Sequence, residues 1–349
     1  MDLKITPVDA AFYEQHLDYL PDRMIDIHTH VWLASSRRKG PRSVERRGPT
    51  WPGRVAAQNP IADHLETYRL LFPRQVVTPV IFGPATQEYD LDNSNAYVSA
   101  AANAAKVPAF IVTTPEWTAA ELEEKVQAGG FIGLKPYLEF APPDIASDDI
   151  TVFDFLPRHH LEAANEHGWI VMLHIPRRGR LRDPLNLEAM LEIEHRYPNV
   201  KLIIAHIGRA YCPEDVGDAF EILKDARRML FDFCANTSAY AMECLLRCVG
   251  PRRVLFGSDL PVVRMRMRRV CEHGFYVNLV PPGLYGDIGD DPHMREVGAE
   301  EGSKLSFFMY EELLAFREAA EATGLSTGEI EDVMYNNAAT LITSAGGTL

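Results

Sequence analysis

The chain has 349 residues, 46% of them hydrophobic, enough to bury a sizeable core in two domains or in one large α/β barrel. A formal net charge of -14 argues against a surface built for nucleic acid or an anionic membrane. No apolar run approaches the length needed to span a bilayer, the first residues lack the basic and apolar parts of a signal peptide, and the five cysteines show no zinc-finger spacing, so a reduced, cytoplasmic chain is expected.

Residues 1–23 read as a lead-in, helical around 12–19. A short apolar run, residues 24–30, then ends in His28-Thr29-His30. Alternation along a strand would put Asp26, His28 and His30 on one face, with both imidazoles at its C-terminal end. Two neutral imidazoles side by side are half of a metal site. The stretch 31–59 is irregular and rich in Arg, Gly and Pro, with Arg37, Arg38, Lys39, Arg42, Arg46, Arg47 and Arg54. It reads as a solvated loop, with a carboxylate-catching lid as the functional alternative.

Strands and helices alternate after this. Helices are expected at 60–71, 95–106, 118–127, 153–167, 185–196, 214–227 and 240–248, and strands at 75–82, 108–113, 131–137, 169–175, 200–207, 229–233 and 253–257. Thr118-x-x-Glu121 has the form of a capping box. Cys244 and Cys248 fall on one helix face as small core residues. The strands are continuous Val, Ile and Leu rather than alternating, the mark of parallel sheets buried on both faces. The architecture predicted is one (β/α)8 barrel domain over residues 1–349, with a doubly wound sheet as the alternative. The Gly-rich phosphate turn expected of that alternative is missing. Residues 261–304 form a long excursion with Arg264, Arg266, Arg268 and Arg269, read as an insertion over the barrel mouth or an oligomer contact. Helices at 307–323 and 327–343 close the chain.

Five strands end in a side chain able to bind metal or move a proton: His28 and His30, then Lys135, His174, His206 and Asp259. In a parallel barrel all those ends meet at one mouth. Singly, each has a plainer reading. His174 or His206 could bond a loop carbonyl, Asp259 could cap a helix, and Lys135 could pair with a carboxylate. His159, His160, His167 and His195 fall on helices and take only the plain reading.

The set Asp26-Ile-His28-Thr-His30, Gly133-Leu-Lys135, Leu173-His174, Ala205-His206-Ile-Gly208, Phe256-Gly257-Ser-Asp259-Leu-Pro261 and Asn337-Ala-Ala-Thr-Leu341 resembles the amidohydrolase superfamily, most closely its amidohydrolase-related branch of metal-dependent hydrolases and decarboxylases. The resemblance implies that His28, His30, His174 and Asp259 hold one divalent metal, zinc with manganese as the alternative. It implies a catalytic proton carrier in His206 and a base in Asp259. Lys135 is expected as an ordinary ammonium that meets the substrate, together with Arg54 and Arg264 of the two mouth loops. The long loops after the first and last strands depart from the family pattern where substrate choice is made. The expected activity is hydrolysis of a C–N or C–O bond in a small carboxylate. Non-oxidative decarboxylation of an aromatic or unsaturated acid and a non-catalytic binding barrel are the alternatives.

Overall fold

The computed structural model describes residues 3–39, 47–48 and 50–349. Arg42 and Arg46 of the basic loop lie outside the described residues. Eight short parallel strands form the centre: β1 (Arg23–His30), β2 (Val76–Phe82), β3 (Phe110–Val112), β4 (Gly133–Lys135), β5 (Ile170–Leu173), β6 (Lys201–Ile204), β7 (Leu230–Asp232) and β8 (Val254–Leu255). β1 pairs with β2, and β3 to β8 pair in sequence order. Two bridges close the ring, Ile81 with Ala109 and Thr29 with Leu260. The backbone bonds Ile27 N–H to Phe256 O and His30 N–H to Leu260 O continue that closure. The (β/α)8 expectation therefore holds.

The period of two along each strand divides the core. Ile25, Ile27, Val80, Phe82, Phe110, Ile170, Met172, Ile203 and Leu255 pack together within the ring. Their strand neighbours Met24, Ile81, Ile111, Leu134, Val171, Leu202, Phe231 and Val254 pack in the cluster that includes the helices. Ala338, Leu341 and Ile342 of the last helix, Asn337–Ser344, join the inner cluster. Asn337 anchors that helix by donating from Nδ2 to Pro251 O and Val254 O, both at 2.9 Å.

Several element bounds moved for identifiable reasons. The capping box formed: Thr118 Oγ1 accepts from Glu121 N–H, and Glu121 Oε2 accepts from Thr118 N–H. The helix expected from 153 starts only at Arg158, because Pro157 takes the N-cap position. The helix expected at 214–227 shrinks to Ala219–Leu223, behind Gly217 in a left-handed conformation. The helix expected at 327–343 is broken by a π-helical turn, Asp332–Asn336, where Val333 O accepts from Phe256 N–H at the end of β8.

The excursion after β8 is built on a small sheet. It contains β9 (Arg268–Glu272) antiparallel to β10 (Phe275–Val280), with β11 (Met294–Glu296) parallel to β10. His273 and Gly274, both at positive φ, make the two-residue turn. The reduced-chain expectation fails for one pair, since Cys212 and Cys271 form a disulfide across 59 positions. Cys244 and Cys248 are free and half-buried on the helix Ala239–Val249, packed against the core. Among the described residues, no helix is long and apolar enough to cross a membrane.

Candidate active site

The strand ends open into one cavity of about 470 Å³, and His28, His30, Lys135, His174, His206 and Asp259 all line it. How β1 delivers its histidines differs from simple alternation. Asp26 pairs with Pro79 and Thr29 with Ile81, so β1 carries one extra residue there. Such a bulge re-aims side chains. Asp26 turns away from the cavity: its carboxylate accepts from Tyr68 Oη at 2.7 Å and from Ser258 N–H at 2.9 Å. Burial, against those hydrogen bonds, raises its pKa to about 7. The expectation that Asp26 shares a face with both histidines is corrected by this extra residue.

His28 and His30 converge with Asp259. His30 Nε2 lies 3.0 Å from Asp259 Oδ1, and His28 Nε2 lies 3.8 Å from the same oxygen. Their other ring nitrogens are committed, His28 Nδ1 to Asp232 Oδ2 at 2.9 Å and His30 Nδ1 to Gly83 O at 3.0 Å. A carbonyl or carboxylate partner fixes the proton on Nδ1 and leaves Nε2 as a lone-pair donor. Gly257 permits this packing, since a Cβ there would lie 2.9 Å from His28 Cβ and 3.4 Å from Asp232 Cβ.

His206 is held in the same way, with its backbone N–H on Asp232 Oδ1 at 2.7 Å and Nδ1 on Cys234 O at 2.9 Å. His206, Ile207, Gly208 and Arg209 are all left-handed, a costly run of conformations of the kind that clusters at functional sites. The His206 ring centroid is 4.9 Å from His28 and 5.2 Å from His174. His174 stands in the wall against Tyr137, its buried Nδ1 without a partner among the described residues. His174 is therefore in the cavity but outside the tight group that His28, His30 and Asp259 make. Lys135 is buried, with Nζ 3.2 Å from His28 Nε2.

Desolvation keeps these imidazoles neutral: burial pushes His28 and His174 well below the ordinary histidine pKa, and His206 below it. Burial also lowers Lys135. Asp259 goes the other way. Burial opposes its ionisation, but the hydrogen bond with His30, and the charge that His30, His206 and His28 carry when protonated, bring it down to about 2. With those rings neutral, the site presents nitrogen lone pairs around one carboxylate.

Of the two loop arginines expected at the substrate, Arg54 lines the cavity but spends its guanidinium on Tyr285 O and Asp287 O. Arg264 is not in the cavity wall. Its Nη2 is held by Asn59 Oδ1 at 2.7 Å. Arg47 binds the carbonyls of Leu138, Ala141, Pro142 and Ile145, so it straps the basic loop down rather than waiting for a ligand. His159 and His160 bond Trp117 O on the helix side, as expected for structural histidines.

Sequence reasoning missed Asp232, Cys234 and Arg269. Asp232 had a signal, a lone carboxylate ending the seventh strand between Phe231 and Phe233. Cys234 Sγ lies 3.1 Å from His28 Nδ1 and 3.0 Å from His206 Nδ1, in a position that only the fold creates. Arg269 reaches the cavity from β9, in the stretch read as an insertion over the barrel mouth or an oligomer contact.

Comparison with known proteins places this arrangement. No curated protein matches the sequence. Among solved structures, amidohydrolase 2 from Bifidobacterium longum subsp. infantis is similar, with a TM-score of 0.55, 15% identity, and 94% of this chain and 100% of that one covered. An amidohydrolase from Burkholderia multivorans with bound zinc has a TM-score of 0.54 at 14% identity, over 93% of this chain and 99% of that one. A probable 2-pyrone-4,6-dicarboxylic acid hydrolase from Acinetobacter baumannii, with citric acid bound, has a TM-score of 0.53 at 14% identity, over 91% and 98%. At such identities the likeness speaks for the fold. The family is carried by the amidohydrolase model, which matches residues 25–288, well over half of the chain and every strand end described above. The chain belongs to the amidohydrolase family and is an enzyme of the amidohydrolase-related type.

Proposed function

We propose that the protein is a metal-dependent hydrolase of a small carboxylate, cleaving a C–O or C–N bond. The observation that carries this reading is the convergence of His28, His30 and Asp259, whose candidate ligand atoms lie within 4.8 Å of one another at the cavity floor. The donor set fits a divalent cation, with imidazole lone pairs freed by partners on Nδ1, one anionic carboxylate, and the buried unpartnered Nδ1 of His174 nearby. Two nitrogens and one carboxylate oxygen suit zinc, with manganese as the alternative. A divalent cation there would polarise a carbonyl and lower the pKa of water to about 7.

The chain's own residues supply the rest. Asp259, held ionised, accepts the proton of the attacking water. Neutral His206 keeps its proton on Nδ1, bonded to Cys234 O, so its Nε2 lone pair relays the proton taken up by Asp259 to the leaving group. Lys135, beside His28, steadies negative charge on the substrate. Support for a carboxylate also comes from the citric acid bound by the Acinetobacter relative.

The test joins elemental analysis to a substrate panel of carboxylated lactones, esters and amides, with 2-pyrone-4,6-dicarboxylate among them. Bound zinc or manganese and chelator-sensitive opening of a lactone, ester or amide are expected. Asp259→Asn should lower kcat by about a thousandfold with the melting transition kept. Carbon dioxide release without hydrolysis would make the protein a decarboxylase. Metal-free protein indifferent to chelator would leave a binding barrel.

A further inference from the structure

Five arginines line the cavity among the described residues, and two of them, Arg37 and Arg54, lie within ion-pair distance of a carboxylate. Arg37 pairs with Glu88 at 3.2 Å. Arg47 and Arg54 are held by backbone carbonyls, and Arg209 bonds the carbonyls of Ile175, Pro176 and Arg177 through Nη1 alone, its Nε and Nη2 having no protein acceptor among the described residues. Arg269 differs in being buried. It is only 9% exposed, yet no carboxylate among the described residues lies within ion-pair distance. Nε donates to Asn278 Oδ1 at 2.9 Å and Nη1 to Ala235 O at 2.7 Å. Nη2 has no protein acceptor among the described residues.

The guanidinium is boxed by rings, its Cζ 4.4 Å from the centroid of Tyr276, 4.6 Å from Phe308 and 4.9 Å from Tyr211. Aromatic faces hold a cation in place without neutralising it. A guanidinium stays protonated at ordinary pH, and a buried charge with no ion-pair partner is costly. A ligand anion would complete it. Tyr211 sets the spacing, since its ring centroid is 4.9 Å from Arg269 Cζ and 6.3 Å from that of His206. The disulfide between Cys212 and Cys271 ties the strand carrying Arg269 to the segment carrying Tyr211.

We infer that Arg269 is the specificity-determining anchor for a substrate carboxylate, in an acid whose reacting bond lies about one aromatic ring away beside His206 and Asp259. This rests on the reading of those residues as the reacting centre. The substrate class is a compact, planar acid with its carboxylate remote from the bond that breaks. The neighbouring carbonyl of Ala235 disfavours a second anion beside Nη1 and leaves the Nη2 edge for one carboxylate.

Calorimetric titration tests it. Benzoate, isophthalate and terephthalate are compared with their neutral amides, on protein loaded with zinc and on protein stripped of metal. At least one acid should bind about tenfold more tightly than its amide, with or without zinc. Arg269→Met should abolish that preference, Arg269→Lys should keep part of it, and zinc content should match the wild type in both. The inference is overturned if no acid outbinds its amide in the wild type, or if Arg269→Met retains the full preference. It is also overturned if the preference disappears on zinc removal, which would put the anion on the metal. Should Arg269→Met fail to melt cooperatively, the wild-type comparison and Arg269→Lys decide. An Arg269-dependent preference in a protein that binds no zinc would sustain the anchor and remove the hydrolase reading.

Discussion

One residue's choice of face decides the chemistry of the first strand. The bulge in β1 sends Asp26 to Tyr68 and leaves His28 against Asp232. Asp232 is the hub beneath the site, with one oxygen on His28 Nδ1 and the other on the backbone N–H of His206. Losing such a partner typically costs about 10- to 100-fold in metal affinity or activity. Asp232→Asn is therefore expected to lower zinc affinity and kcat by about that factor while the fold persists. Competition against a chelating dye would measure the affinity, and an unchanged zinc constant would show that Asp232 does not set the His28 tautomer. The histidines themselves were legible, because a His ending an apolar run has few uses. Asp232 was equally visible and was passed over. Arg269 was visible only as one of several arginines, since nothing local separates a boxed cation from a solvated one.

Elements place these residues, and two carry measurable consequences. The helix Arg158–His167 buries His160, whose Nε2 donates to Trp117 O. Burial, partly offset by that bond, pushes its pKa down to about 4. A histidine depressed in the fold contributes stability that is complete above its unfolded value near 6.5 and is lost as pH falls towards 4. Between pH 6.5 and 5 the loss is about 2 kcal/mol from this group. Urea unfolding at pH 7.5 and 5 should show a smaller difference for His160→Asn than for the wild type, and equal differences would contradict the assignment. The hairpin of β9 and β10 carries the second consequence. Its disulfide closes a loop of 59 positions, for which loop-closure entropy gives about 4 kcal/mol. Cys271→Ser should lower stability by about 2–4 kcal/mol and weaken acid binding through Arg269, while zinc content stays the same. The turn His273-Gly274 ahead of the apolar run Phe275–Val280 was a readable hairpin signal, masked by the length of the surrounding stretch.

At the scale of the whole molecule, closure of the ring brings together side chains from β1, β4, β5, β6, β7 and β8 and the turns after them. Because the proposed metal binds only the assembled site, folding and binding are linked. Zinc at about 100 times its dissociation constant should add about 2.7 kcal/mol of stability. The melting temperature should rise with zinc and fall with chelator, and His28→Ala should abolish the shift. A melting temperature indifferent to zinc in the wild type would argue against a site made from several strands. The amino-acid sequence alone determined the barrel, the strand ends and the histidine–carboxylate set, because strand periodicity and apolar runs are local properties written in neighbouring residues. The tertiary structure decided which face Asp26 takes, that Cys212 meets Cys271, that Arg47 and Arg54 are straps, and that Arg269 stands unpaired in the wall. Those outcomes depend on contacts between residues far apart in the chain, which packing alone creates.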